Sequence, residues 1–99
     1  MPKPKKYFIK KGNEETGEDV FLSGLQIEML RLLAEGYKQA RIGEKLFRGA
    51  KTTHNYFTFL NEIAGCHNPQ GLVGWAFKHK ILLAESRKIF INPNLPKAE

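Results

Sequence analysis

The chain has a single cysteine, Cys66, and that scarcity excludes an internal disulfide and leaves no CxxC pair for structural zinc. A reducing cytoplasm is the compartment such cysteine usage fits. Long hydrophobic runs are missing too: no stretch approaches the roughly 20 apolar residues that span a bilayer. The opening segment MPKPKKYFIKKGN is charged but lacks an apolar stretch, so it does not read as a secretory signal. Catalytic signatures are equally sparse. Three histidines occur without an HExxH pair, and no glycine loop of the phosphate-binding kind is present. Cys66–His67 offers a thiol beside a base, but neighbours in sequence point different ways and no third group orients them. No catalytic residue, cofactor or metal ligand is expected. There is no internal repeat and no low-complexity tract.

What the chain does hold is basic charge on a foldable core. At 99 residues it is long enough for one domain with a modest core. A hydrophobic share of 41%, with seven Phe, three Tyr and one Trp, argues for a folded globule over a disordered tail. The net charge of +6 and pI near 9.6 point to a polyanionic partner, nucleic acid before a membrane surface. The charge is unevenly placed. Lys3, Lys5, Lys6, Lys10 and Lys11 precede the first acid, and EETGED then carries four of the ten acidic residues. YFIKK and VFLS flank that polar stretch and read as two short strands of a hairpin.

Helix signals begin at Ser23. Ser23 and Gln26 have the spacing of a capping box, Leu25, Met29, Leu32 and Leu33 form a stripe, and Gly36 supplies a stop. KQARIGEKLF is a shorter second helix with Ile42 and Leu46 inward, and Gly43 in its middle implies a close helix crossing. A third helix runs from about Lys51 to Ala64. Phe57, Leu60 and Ala64 face the core, and Lys51, His54, Asn55, Thr58 and Glu62 fall on the opposite stripe. After Gly65, Asn68 is the cap and Pro69 the first residue of a fourth helix with Leu72, Val73, Ala76 and Phe77 apolar. The tail contains a strand at 88–92, ended by prolines.

Two short helices joined by a tight turn, the second with a polar outer face, describe a helix-turn-helix. Residues 38–58 carry Lys38, Arg41, Lys45, Arg48 and Lys51 against Glu44 alone, a surplus of four positive charges on the pair that would meet phosphates. With these residues in place, the segment 22–82 resembles the LuxR-type (GerE-like) helix-turn-helix DNA-binding domain, without a gap. The matching residues are Leu22–Ser23, Glu28, LRLLAEG, Ile42, EKLF, Lys51–Thr52, Asn55, Leu60, Gly65, Asn68, Val73, Ala76, His79 and Ile81–Leu82. There are departures. Gly49 and Ala50 occupy a turn where the family has Ser or Thr, Thr53 replaces its valine and Tyr56 its histidine. His67 and Pro69 stand where it has arginines.

The resemblance implies a mainly α fold, a four-helix bundle at 22–82. The extensions at 1–21, a basic arm with a hairpin, and at 83–99 would together supply a small β-sheet. It implies a regulator binding double-stranded DNA, expected in the cytoplasm and, in a departure from the family, expected to stand alone without the fused sensory domain. His54, Asn55 and Thr58 would face the bases in the major groove. Asn suits adenine, Thr offers a hydroxyl and a methyl to thymine, and His can donate to guanine. Lys51 and Thr52 at the helix start, with Arg48, Lys38, Arg41 and Lys45, would meet phosphates. The helix at 69–80 would pair two copies through Gly71, Gly74, Trp75, Lys78 and His79. Phe59 and Ile63, apolar where the family is polar, would be covered by a sheet made from YFIKK, VFLS and RKIFIN. Two rival readings stand: a non-specific architectural DNA binder, and a protein-interaction module on the same fold.

Overall fold

A computed structural model describes residues 6–98; Lys3 and Lys5 of the basic arm lie outside the described residues. The chain runs β1 (Lys6–Ile9), β2 (Val20–Ser23), α1 (Gly24–Ala34), α2 (Gln39–Lys45), α3 (Ala50–Ala64), α4 (Pro69–Lys78), β3 (Leu82–Glu85), β4 (Lys88–Ile91) and β5 (Lys97–Ala98). Four helices dominate, with two small antiparallel sheets at their margins. The local signals explain the helix ends. Ser23 accepts from the Gln26 amide at 3.2 Å and the Gln26 side chain accepts from the Ser23 amide at 2.8 Å, so each satisfies an orphan donor of the first turn. Asn68 caps α4 by accepting from the Gly71 amide at 2.7 Å, and Pro69 opens that helix. Gly65 ends α3 at φ +72°, where a Cβ would come within 2.6 Å of Asn13 Oδ1, so glycine is required for conformation and for space.

The core is contiguous. Leu22, Ile27, Leu30, Ile42, Phe57, Leu60, Leu72, Trp75 and Ile81 are all at most 2% exposed. Each such side chain stabilises the fold by roughly 1.5–3 kcal/mol through burial. α1 lies centrally, against α2, α4 and β4, and α3 closes over α2 and α4.

The strands correct one expectation. The three segments do not form a single sheet. β1 pairs with β2 in the register Lys6↔Ser23 to Ile9↔Val20, and the third strand of that sheet is β5, on the other edge of β1. The strand at Lys88–Ile91 pairs instead with β3, in the register Leu82↔Ile91 to Glu85↔Lys88. The reason is local: Ser86 and Arg87 take φ of +50° and +67°, a two-residue turn that folds β4 straight back on its predecessor. The expected cover over Phe59 and Ile63 also differs. Phe59 is 47% exposed, while Ile63 is half-buried against the core. What lies over that end of α3 is the loop at 10–19, where Asn13 Nδ2 donates to the carbonyls of Glu62 and Ile63 at 3.2 and 3.0 Å.

Candidate nucleic-acid interface

The α2–α3 pair is held at close range. Gly43 and Thr53 are both buried, and a Cβ on Gly43 would sit 2.6 Å from Thr53 Oγ1. Thr53 Oγ1 donates to the Gly49 carbonyl at 2.9 Å, so that buried hydroxyl is satisfied inside the crossing. The turn between the helices passes through Phe47 at φ +55°, with its ring 92% exposed, and returns with the Arg48 amide donating to the Gly43 carbonyl at 2.8 Å.

α3 begins at Gly49 with no side-chain cap. Its first amides and the positive end of its dipole are therefore open to an anion, with Lys51 and Thr52 exposed beside them. The outer face follows. His54, Asn55, Thr58 and Glu62 are exposed along one side of the helix. His54 Nδ1 lies 3.4 Å from Gln39 Oε1 on α2, which ties the start of that face to the partner helix. Thr58 donates its hydroxyl proton to the His54 carbonyl at 3.1 Å, leaving its oxygen lone pairs and methyl group outward. The Asn55 amide has no protein partner among the described residues, so both its donor and its acceptor are available.

The flanking cations differ in how free they are. Arg41 pairs with Glu44 at 2.8 Å, and since both are largely exposed the pair contributes little to stability. Lys45 sits 4.6 Å from the centre of the Tyr37 ring, a cation–π contact that fixes its stem. Lys38, Arg48 and Lys51 are exposed and form no ion pair among the described residues. The surplus of positive charge thus stays on the α2–α3 side.

On α4 the five residues expected to meet a second copy fare unequally. Gly71, Gly74 and Lys78 are exposed. Trp75 is only 2% exposed, and its Nε1 donates to the Gly12 carbonyl at 2.6 Å. His79 is largely covered, with its Nε2 at 2.8 Å from Glu14 Oε1, and Lys78 Nζ reaches the other oxygen of the same carboxylate at 2.9 Å. These contacts hold the Glu14 carboxyl below its ordinary value, first through Lys78 and then through His79. The loop at 10–19 therefore clamps both α3 and α4, a role absent from the sequence reading. Its signal was present as charge complementarity, with Glu14 opposite Lys78 and His79 and Glu15 3.1 Å from His67.

The remaining chemistry is quiet. Burial pushes the Cys66 thiol up, with Glu14 and Glu15 adding to the effect, so it stays protonated and poorly nucleophilic at neutral pH. Its neighbour His67 is engaged by Glu15 at 3.1 Å. Among the described residues no cluster of three His, Cys, Asp or Glu could hold a metal, and no helix is long and apolar enough to cross a membrane.

Known proteins supply the last observation. No family model and no solved structure matches the chain. Curated relatives do. The oxygen regulatory protein NreC of Staphylococcus aureus (strain JH9) is 35% identical over 79 residues, covering 76% of this chain and 36% of the relative. NreC of Staphylococcus aureus (strain NCTC 8325 / PS 47) matches to the same extent. The chain is homologous to part of these regulatory proteins, and it spans only 36% of their length.

Proposed function

We propose that the protein is a LuxR-type helix-turn-helix regulator that reads double-stranded DNA by laying α3 in the major groove. The observation that carries the reading is the outer face of α3. An uncapped helix start with Lys51 and Thr52 leads directly into exposed His54, Asn55 and Thr58, on the basic side of the molecule. Phosphate on the helix N-terminus would set register, and the next turns would meet base edges. Homology to an oxygen regulatory protein supports a regulatory role, and DNA would place that role in the cytoplasm. Arg48 and Lys38 are the freer flanking phosphate contacts, Arg41 and Lys45 the more occupied ones. The reading assigns no catalysis and no cofactor. A pair of copies meeting on α4 would use Gly71, Gly74 and Lys78, with Trp75 and His79 buttressing the helix from inside.

The test is selection of duplexes from a random pool, run side by side with the intact chain and Asn55→Ala. The expected result is an enriched motif that loses one position in the variant, at a cost of about 1–3 kcal/mol for that base pair. Binding without any enriched motif would replace this reading with non-specific architectural binding. A protein-interaction module is favoured by one observation, the open rings of Phe47 and Phe59 at 92% and 47% exposure on the same helix pair. Indifference to DNA at low salt would select that alternative.

A further inference from the structure

The β3–β4 hairpin serves no part of the function argued so far, and its tip is built unusually. Ser86 and Arg87 both lie in the left-handed region, at φ +50° and +67°, where a two-residue turn normally takes Asn and Gly. Neither residue is relieved by a missing Cβ, so the turn retains side chains at a conformational cost. Its root is rigid: Leu82 is buried, the Asn92 amide donates to the Ile81 carbonyl at 3.0 Å, and Asn92 Nδ2 donates to the Lys80 carbonyl at 2.8 Å. Arg87 and Lys88 at the tip are exposed and form no ion pair among the described residues.

The tip's location gives this charge a use. Arg87, Lys88 and Ile89 line one cleft with Ala34 and Glu35, the last turn and cap of α1. Glu35 pairs with Arg31 at 2.9 Å and forms no ion pair with Arg87 or Lys88. The chain leaving Glu35 reaches Lys38, the cap of α2, in three residues, and the next residue, Gln39, touches His54 on the reading face. The hairpin tip thus packs beside the C-terminal end of α1, and the short link leaving that end leads to α2, which meets the α3 face at His54.

We infer that the β3–β4 hairpin is a second DNA contact, with Arg87 and Lys88 binding phosphates of the same duplex on the flank of the groove that α3 enters. The inference rests on the DNA-binding reading of α3. It extends that reading from one groove to the backbone beside it. Two unpaired cations on a short, rooted hairpin suit backbone phosphate, which demands charge and reach but no base pattern.

The test compares salt dependence of duplex affinity for the intact chain, for Lys51→Ala, and for a double variant carrying Arg87→Gly and Lys88→Gln. Each lost phosphate contact lowers the slope of log affinity against log salt by about 0.9, so the double variant is expected to lose about 1.8 and bind roughly tenfold or more weakly. Glycine at 87 suits the left-handed turn, so thermal unfolding of the double variant is expected at or above the temperature of the intact chain. A double variant with unchanged affinity and slope, beside a weakened Lys51→Ala, overturns the hairpin contact and leaves α3 standing. Weaker binding with an unchanged slope also overturns it, since that loss would come through the fold. No binding by the intact chain at low salt would overturn both readings together.

Discussion

Gly43 has no room for even a methyl group, and its neighbours have little freedom to move. A Cβ there would lie 2.6 Å from Thr53 Oγ1 and 3.0 Å from the Arg48 carbonyl oxygen. The first is a buried hydroxyl already donating to Gly49, and the second is backbone in the turn. Alanine would gain about 1 kcal/mol of helix propensity, but crowding a packed crossing costs about 1–3 kcal/mol. Gly43→Ala is therefore expected to destabilise the chain by a net ~1 kcal/mol, and by at most about 2 kcal/mol, in urea denaturation. Because Thr53 Oγ1 is the nearest obstacle, adding Thr53→Ala should return part of the loss, and a double-mutant cycle measures that coupling. Strict additivity of the two substitutions would show that the crossing is looser than its distances imply.

At the scale of elements, what could be read in the sequence was what is encoded locally. The capping box at Ser23, the Asn68–Pro69 start, the stop at Gly65 and the tight crossing at Gly43 each depend on residues a few positions apart, and each is present. The exposed stripe of α3 was legible for the same reason. Trp75 was misplaced although Leu72, Trp75, Ala76 and His79 follow helical spacing, because Val73 and Phe77 offered a second apolar stripe and nothing local chose between them. The choice is made by Gly12, 63 positions away, and by the loop that carries it. The pairing of YFIKK with VFLS was legible and is present, whereas the partner of β4 was set by the Ser86–Arg87 turn and the third strand by Lys97–Ala98, which composition does not announce. The loop at 10–19 carries its own prediction. Glu14 has its pKa lowered from an ordinary 4.5 by Lys78 and then His79. A carboxylate whose folded value is depressed adds stability that is whole above its unfolded value and fades as pH falls through the folded one. Thermal melts should therefore find Glu14→Gln less stable than the intact chain at neutral pH, with the gap closing as pH falls below the ordinary carboxylate range. A gap that persists in acid would mean that the loop holds by shape, not by this charge.

For the molecule as a whole, the open matter is how two copies would meet. A stable interface removes about 800 Å² from each partner and centres on apolar side chains. α4 has little of that left to offer. Trp75 is sealed inside by Gly12, and Lys78 and His79 are engaged by Glu14 of their own chain. What remains outward is Gln70, Gly71 and Gly74, beside a shallow apolar groove formed with Leu33, Pro69 and Val73. Such a surface allows close approach but supplies weak attraction, so it should hold only where something else brings the copies together. DNA with two half-sites about one helical turn apart would do so by raising the effective concentration. Sedimentation velocity is expected to show a monomer in free solution at about 10 μM, one copy on a single-site duplex and two on a two-site duplex. Gly74 has nothing within 4 Å of an added Cβ, so Gly74→Glu leaves the fold intact and places like charges across the contact. That variant should keep its affinity for one half-site and lose the cooperative second step, by roughly fivefold for a ~1 kcal/mol coupling. A free dimer at this concentration, or a second step unmoved by Gly74→Glu, would remove α4 as the meeting surface and turn the search to the sheet edges.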